Sequence, residues 1–536
     1  MDECLVNVAV GLVHPVFTVS SSNNSMMIGL DVHLFTPFSA ALASGARLLT
    51  DSPRRPAAIA ACQERTLAHL LKKLAPTVLG ERFSLGDLTP EAFRAQIPVL
   101  RYADLAAEIT RVAAGESHVL FRGAAVALAQ TSGTTRSADA GERYVPQGRA
   151  MLAHHRRGGM AALARVMGKT PDVLGGRMLM LGGCTALDRR GPVPIGDLSG
   201  ICAAGIPAWI NWAYEPGRAI AGEPDWERRL GLIVARLKHR DVRLVSGIPA
   251  WLLMLFDRLG ARASTVWPHL QAMIHGGHGV EPFITTLAAH LDGGTWMQEV
   301  YPASEAFIAV GQAPWRLGEA KPSPLELLTN HGVYLEFQQE DEVIVGAHAL
   351  EPGGMYRVLV TTPGGLLRYE LGDLVRAEGP GLVRVAGRIR TRLSVFGEHV
   401  EGMALAEALA TATAATGATV AHYHVAPQLP TANEPRGAHE WWIEFVAPPN
   451  DSKQFTATID SELSRLVIDY AAHRDGGQLL PPVLVQLPSG TFHAYLAAKG
   501  HLGGQHKVPQ AWPDHSIADQ LQNQLQATRK NQQSES

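Results

Sequence analysis

Three separated segments of the chain carry residue types suited to holding a phosphate, a cation and a sugar. In Gln130-Thr-Ser-Gly-Thr-Thr-Arg136, the hydroxyls of Thr131, Ser132, Thr134 and Thr135 surround Gly133 directly after an apolar run. Backbone amides and hydroxyls in such a loop can wrap phosphate oxygens, and Gly133 permits close approach or an unusual dihedral. The pattern is not a P-loop, which needs GxxxxGK followed by Ser or Thr. An ordinary Ser/Thr/Gly turn has the same composition.

Tyr301-Pro-Ala-Ser-Glu305 ends a strongly apolar segment. A tyrosine ring can flank a base, Ser304 can donate or accept a hydrogen bond, and Glu305 can give oxygen to Mg²⁺, which favours a few carboxylates plus phosphate and water. The alternative is a capped helix start, with Ser304 near the N-terminus and Tyr301 in the core. In Tyr369-Glu-Leu-Gly-Asp373, the aspartate sits at an expected strand-to-turn transition, and Arg388 follows 15 residues later. An aspartate carboxylate suits two ribose hydroxyls and an arginine fork suits ribose or phosphate oxygens. A local Asp373–Arg388 salt bridge would explain both charges without a nucleotide.

His275-Gly-Gly-His278-Gly suggests a metal site only superficially, because no compact set of further ligands accompanies it. Gly276 and Gly277 fit better as a backbone wall that approaches a planar base closely. Lys507 could offset charge developing on a reacting carboxylate and phosphate, although most lysines simply face solvent. Trp441 and Trp442 read as strand core before they read as a ligand platform. His422 and His424 share one strand face, and Arg156-Arg157 and Lys238-His239-Arg240 read as helix surface. A GxSxG hydrolase elbow is absent.

These residues need a large scaffold, and at 536 residues the chain exceeds what one hydrophobic core usually supports. An apolar fraction of 46% with 18% charged residues fits a packed globular protein rather than a disordered one. A formal charge of −3 supplies no general attraction to nucleic acid. Cys4, Cys62, Cys184 and Cys202 are widely spaced, which favours a reducing compartment and hence the cytoplasm. The first residues lack a basic n-region, and no run of about 20 uninterrupted apolar residues predicts a membrane span.

Residues 1–53 read as an irregular extension. Residues 54–396 read as a large domain: helical spacing from Ala57, a helix ending near Gly115, a helix over 148–167, then alternating strands and helices that predict layered α/β packing. Its last part, from Asp341, has closely spaced strands joined by Pro-Gly and Gly-Gly turns, more like an antiparallel or barrel-like module. A change of character near Gly397 marks a boundary, and 397–510 predicts a small α/β domain. Residues 511–536 are polar and read as a frayed helix or tail.

The ordered set of segments resembles the plant-hormone acyl-acid amido synthetase (auxin-responsive promoter) family, and most closely its bacterial relatives, within the wider adenylate-forming enzymes. The resemblance covers roughly residues 58–510. It rests on Thr131–Thr135, Tyr301–Glu305, Tyr369–Asp373, Arg388 and Gln505–Pro509, with support from FRAQIPVLRYADLAAEI, GHGVEPF and GTFHAYLAAKGHLGGQHKVP. It implies a two-domain adenylate-forming fold, a large layered N-terminal domain with a barrel-like part and a small, mobile C-terminal α/β domain. It further implies ATP and Mg²⁺ as cosubstrate and cofactor, a small carboxylic acid and an amino acid as partners, and formation of acyl-AMP followed by an amide. Under it, residues 131–135 hold phosphates, Gly276, Gly277, Tyr301, Ala303 and Ser304 border the base, Asp373 and Arg388 take the ribose side, Glu305 binds metal, and Glu305, Arg388 and Lys507 serve catalysis. The chain departs from the family pattern at Asp139–Pro146, which leaves the role of Arg143 open, and at Pro302-Ala303, Glu370 and Gln510. Transfer to coenzyme A or a carrier thiol, or a scaffold that binds nucleotide without turnover, are the competing expectations.

Overall fold

The computed structural model describes residues 51–130, 143–189, 191–206, 213–277, 279–319, 322–389, 393–396, 398–429, 436–499 and 508–534. Helix α1 (Pro56–Leu74) opens with proline, whose missing N–H is unneeded in the first turn, and buries Ile59, Leu67, Leu70, Leu71 and Leu74. Gln63 is buried on the same helix and fully engaged: its amide donates to the Thr329 and Val333 carbonyls and accepts from Leu335 N–H. That polar pin fixes α1 against the strands below.

Strand β1 (Ala127–Gln130) pairs antiparallel with β2 (Tyr144–Gln147). After α2 (Arg149–Met167) come β3 (Arg177–Leu181), β4 (Ile195–Gly196), which joins β1 in parallel, and α3 (Leu198–Ala204). Then follow β5 (Tyr214–Glu215), α4 (Trp226–Leu237), β6 (Val242–Gly247), α5 (Pro249–Arg258), β7 (Ala272–Gly276) and β8 (Trp296–Pro302). Strands β5, β3, β6, β7 and β8 lie side by side in parallel. Both faces are covered, as parallel strands require. Trp226, Leu230, Leu252 and Phe256 pack on Val245, Met273 and Met297 on one side, and Ala161, Ala162 and Val166 pack on Ala272, Ile274 and Val310 on the other.

The antiparallel part continues this sheet. Strands β9 (Phe307–Gly311), β10 (Trp315–Arg316), β11 (Leu325–Leu327), β12 (Tyr334–Gln338), β13 (Ile344–Gly346), β14 (Met355–Thr361), β15 (Tyr369–Gly379) and β16 (Leu382–Arg388) follow in sequence. The order across the sheet is β13-β12-β14-β15-β16-β11-β9-β8-β7-β6-β3-β5, with β10 on β8. Residues 296–311 form two strands, β8 and β9, in a hairpin closed by Ala303 N–H donating to the Ala306 carbonyl at 2.9 Å. This turn excludes the helix-start alternative for Tyr301–Glu305. Asp373 lies inside β15 rather than at its end, because Gly372 adopts φ 78° and lets the strand run through an irregular pairing with β14.

The smaller domain packs α6 (Gly402–Thr416) and α7 (Ser452–Leu466) on β17 (Thr419–Gln428), β18 (Ala438–Ala447) and β19 (Val483–Leu487). Trp441 and Trp442 are core residues, Trp441 stacked on Tyr423 with ring centroids 6.2 Å apart. Helix α8 (Thr491–Ala498) and α9 (Ser516–Ser534) cover its far side, where Ile517, Ala518, Leu521 and Leu525 pack with Trp442 and Phe492. No described helix is long and apolar enough to cross a membrane.

Candidate active site

The β8–β9 hairpin and the β15–β16 pair bring four of the singled-out residues together. Asp373 and Arg388 are register partners, and Arg388 Nε lies 3.0 Å from Asp373 Oδ1. The Tyr301 hydroxyl donates to Asp373 Oδ2 at 2.6 Å. The salt-bridge alternative is thus real in this conformation, but it is one edge of a network. Burial and the adjoining Asp373 charge push the Tyr301 hydroxyl well above its ordinary range, so it stays a donor. The Asp373 charge, with Glu305 and Tyr301 adding, holds Arg388 firmly protonated against its partial burial.

Glu305 sits at the hairpin turn next to this network. Its carboxyl is pushed up to about 7, chiefly by burial, with Asp373 adding and its own backbone N–H and Arg388 opposing. A carboxyl with one strong cationic neighbour and an open side toward a cavity can take a further positive charge. The turn itself is held from α2 and β2. His154, buried on α2, accepts from Phe307 N–H at 2.9 Å through Nε2, which leaves Nδ1–H to donate to the His331 carbonyl at 2.9 Å. Burial lowers its pKa to about 4, so the neutral ring keeps this donor–acceptor pair. Gln147 Nε2 donates to the Ser304 carbonyl at 2.9 Å. Gly158, one turn along α2, lets the Phe307 ring lie where a Cβ would be.

Tyr301, Ser304, Glu305, Phe307, Asp373 and Arg388 border one cavity of ≈ 2730 Å³ between the two domains. Gly276 and Gly277 line it at the end of β7, as do Ala303 and Ser304. A Cβ on Gly276 would overlap the Val300 carbonyl, so the close approach of β8 already requires glycine there. Gly277 has φ 90°, a conformation that favours glycine. Arg143 also lines the cavity, its guanidinium 5.1 Å from the centre of the Tyr102 ring. Arg156 and Arg157 are exposed on α2 yet face the same cavity, whereas Lys238, His239 and Arg240 lie on the outer surface.

Thr131, Ser132, Gly133, Thr134, Thr135, His278, Gly397 and Lys507 lie outside the described residues. The segment after Lys507 is described: Val508, Pro509 and Gln510 line the cavity. Strand β17 holds this segment, since His424 Nδ1 contacts the Pro509 carbonyl at 2.7 Å and Val425 N–H donates to the Gln510 carbonyl at 2.8 Å. Among the described residues no group of three or more His, Cys, Asp or Glu side chains could enclose a metal ion. His154 and Gln147 were not singled out from the sequence. Neither stands out in the sequence, because the partners they hold are about 150 to 180 residues away.

A large mixed-sheet domain joined to a small α/β domain across a shared cavity is the adenylate-forming architecture. The same fold occurs in AtGH3.15 acyl acid amido synthetase in complex with 2,4-DB, which is 16% identical, with a TM-score of 0.72 over 93% of this chain and 98% of that one. It occurs more distantly in 2-hydroxyisobutyryl-CoA ligase in its postadenylation state, 13% identical with a TM-score of 0.52 over 95% and 98%. The chain belongs to the GH3 family: the family's N-terminal domain matches residues 56–271, its central domain 326–381 and its C-terminal domain 403–516. Among curated relatives, probable indole-3-acetic acid-amido synthetase GH3.9 of Oryza sativa subsp. japonica is 26% identical over 290 residues. That match spans 48% of this chain and 64% of the relative, just under two thirds of its length.

Proposed function

We propose that the chain activates a small carboxylic acid with ATP and transfers the acyl group to the amine of an amino acid, forming an amide. The observation that carries this is the convergence of Tyr301, Glu305, Asp373 and Arg388 on one cavity between the domains, beside the Gly276-Gly277 wall. Family membership and the names of the synthetases it resembles support the same chemistry.

In this account Asp373 accepts from the ribose hydroxyls through the carboxylate lone pairs that Tyr301 and Arg388 leave free. Tyr301, Ala303, Ser304, Gly276 and Gly277 border the adenine, and the Thr131–Thr135 loop holds the phosphates. A substrate carboxylate oxygen attacks the α-phosphorus, pyrophosphate leaves with the broken P–O bond's electron pair, and acyl-AMP remains. Lys507 and Arg388 offset the charge that collects around phosphorus, so catalysis comes from positioning and electrostatics rather than from a protein nucleophile. Glu305 fits a magnesium ligand, since Mg²⁺ is commonly held by one or two carboxylates plus phosphate and water; it would supply charge neutralisation at the phosphates. The working division is 54–396 for ATP and acyl binding and 397–510 for the mobile catalytic part, with 1–53 as an extension and 511–536 as a terminal segment. The reading carries no role for nucleic acid or a membrane, and the widely spaced cysteines fit a cytoplasmic enzyme.

The test is pyrophosphate exchange into ATP with panels of carboxylic acids. Exchange that depends on the acid supports adenylation. Nucleotide binding with no exchange across a broad panel would reduce the protein to a binding scaffold.

A further inference from the structure

Strand β8 carries a second carboxylate, two residues before Tyr301, that the nucleotide reading does not use. Glu299 lines the cavity, and among the described residues its carboxylate makes no hydrogen bond or ion pair. His275 occupies its register position on β7 and shares its face of the sheet. Glu281 faces it from the turn after β7, and Arg384 approaches from β16 while also holding Glu378 at 3.2 Å. On β9, Gly311 lies alongside and offers no side chain. Glu281 also faces the small domain, where burial and then the Glu281 charge raise the Tyr423 hydroxyl.

His275 is the second, independent sign of a ligand. It is 1% exposed, it lines the same cavity, and neither ring nitrogen has a hydrogen-bond partner among the described residues. Burial lowers its pKa to about 3, so one ring nitrogen is a standing acceptor. A donor-bearing ligand would relieve the cost of leaving such a group buried and unpaired. Two carboxylates and a neutral imidazole form an acceptor-rich wall that does not close into a metal cage. A primary ammonium, with three donors, matches it.

We propose that Glu299, flanked by Glu281 and His275, receives the ammonium of the acceptor amino acid and takes its proton before acyl transfer; this rests on the adenylation reading above. One N–H bond breaks, its proton passes to the Glu299 carboxylate, and the electron pair stays on nitrogen. That pair forms the C–N bond at the acyl-AMP carbonyl carbon. The C–O bond to the phosphate breaks with its pair going to AMP, and the second amine proton leaves to water. Burial, then Glu281, push Glu299 up to about 8, against the pull of Arg384, which brings its proton affinity near that of an amine and makes the transfer nearly balanced. The active form is the carboxylate, whose population grows as pH rises through about 8, so kcat/KM for the amine rises over that window.

The test compares unsubstituted enzyme, Glu299→Gln and Glu299→Asp in three assays: acid-dependent pyrophosphate exchange, amide formation with an amino acid, and acyl transfer to hydroxylamine, which is already unprotonated at neutral pH. Glu299→Gln is expected to lower amide formation on the order of 10²-fold, to lower exchange far less, and to lose the rise near pH 8. Hydroxylamine recovers most of the loss, and Glu299→Asp recovers part of it. Equal losses in exchange and amide formation, or equal losses with hydroxylamine and amino acid, would overturn the assignment. No acid-dependent exchange in unsubstituted enzyme would instead remove the adenylation reading, and this inference with it.

Discussion

Replacing Asp373 by Asn tests the network at its centre while conserving shape. In the folded protein one carboxylate oxygen takes the Tyr301 hydroxyl at 2.6 Å and the other takes Arg388 Nε at 3.0 Å. An asparagine can still give its oxygen to Arg388 and turn its NH₂ toward Tyr301, whose hydroxyl can rotate to accept. The loss is therefore mainly the charge that neutralises Arg388. Removing one partner of a fully buried pair costs about 3–5 kcal/mol, but the Arg388 side chain is 46% exposed toward the cavity, so solvent screens part of it. We expect about 1–2 kcal/mol of lost stability. A ribose recognised through the same carboxylate would also lose a charge-assisted hydrogen bond, weakening ATP about 10-fold or more. Equilibrium denaturation and calorimetric titration with ATP read the two effects separately. Unchanged ATP affinity in a variant that unfolds as expected would refute the ribose role while leaving the salt bridge intact.

Other substitutions follow from the same geometry. Tyr301→Phe removes one hydrogen bond to a charged acceptor and should cost roughly 1.5–3 kcal/mol in denaturant midpoint experiments. His154→Ala leaves Phe307 N–H and the His331 carbonyl buried without their partner, and should lower stability by roughly 2–5 kcal/mol and adenylation with it, whereas a loss within 0.5 kcal/mol would show that the hairpin needs no clamp. Because burial holds His154 at about 4 and His155 at about 3, below the ordinary histidine value, the folded protein resists protonating them. Their stabilising contribution is therefore complete above about pH 6.5 and is lost as pH falls toward 4, by up to roughly 1.4 kcal/mol per pH unit for each titrating ring. His154→Gln should flatten that slope in pH-dependent unfolding.

The grouping of Tyr301, Glu305, Asp373 and Arg388 was legible because it is local. Tyr301 to Glu305 lie within five residues, and Asp373 and Arg388 are neighbours across one hairpin, so residue type and spacing sufficed. The helices α1 and α2 announced themselves through apolar spacing, and Trp441 and Trp442 through strand pattern. Features that depend on distant pairing were not legible. Nothing in the segment around Asp341 shows that its hairpins extend the parallel strands, a consequence of β9 and β11 pairing in series with β16. His154 gains its meaning from Phe307 and His331, and Glu299 gains its from Glu281 and Arg384, on separate elements. In sequence, Glu299 is simply one polar residue in a strand. Asp373 looked like a turn residue because Leu-Gly-Asp is turn-like, yet a long antiparallel partner carries the strand past it.

The most direct test of the central claim is the mass of the product made from ATP, Mg²⁺, mixed carboxylic acids, mixed amino acids and coenzyme A. The account predicts AMP and pyrophosphate together with an acyl–amino acid amide, which would identify both partners. A thioester mass with no amide would contradict the acceptor assigned here, and the absence of any acid-dependent AMP would contradict adenylation itself.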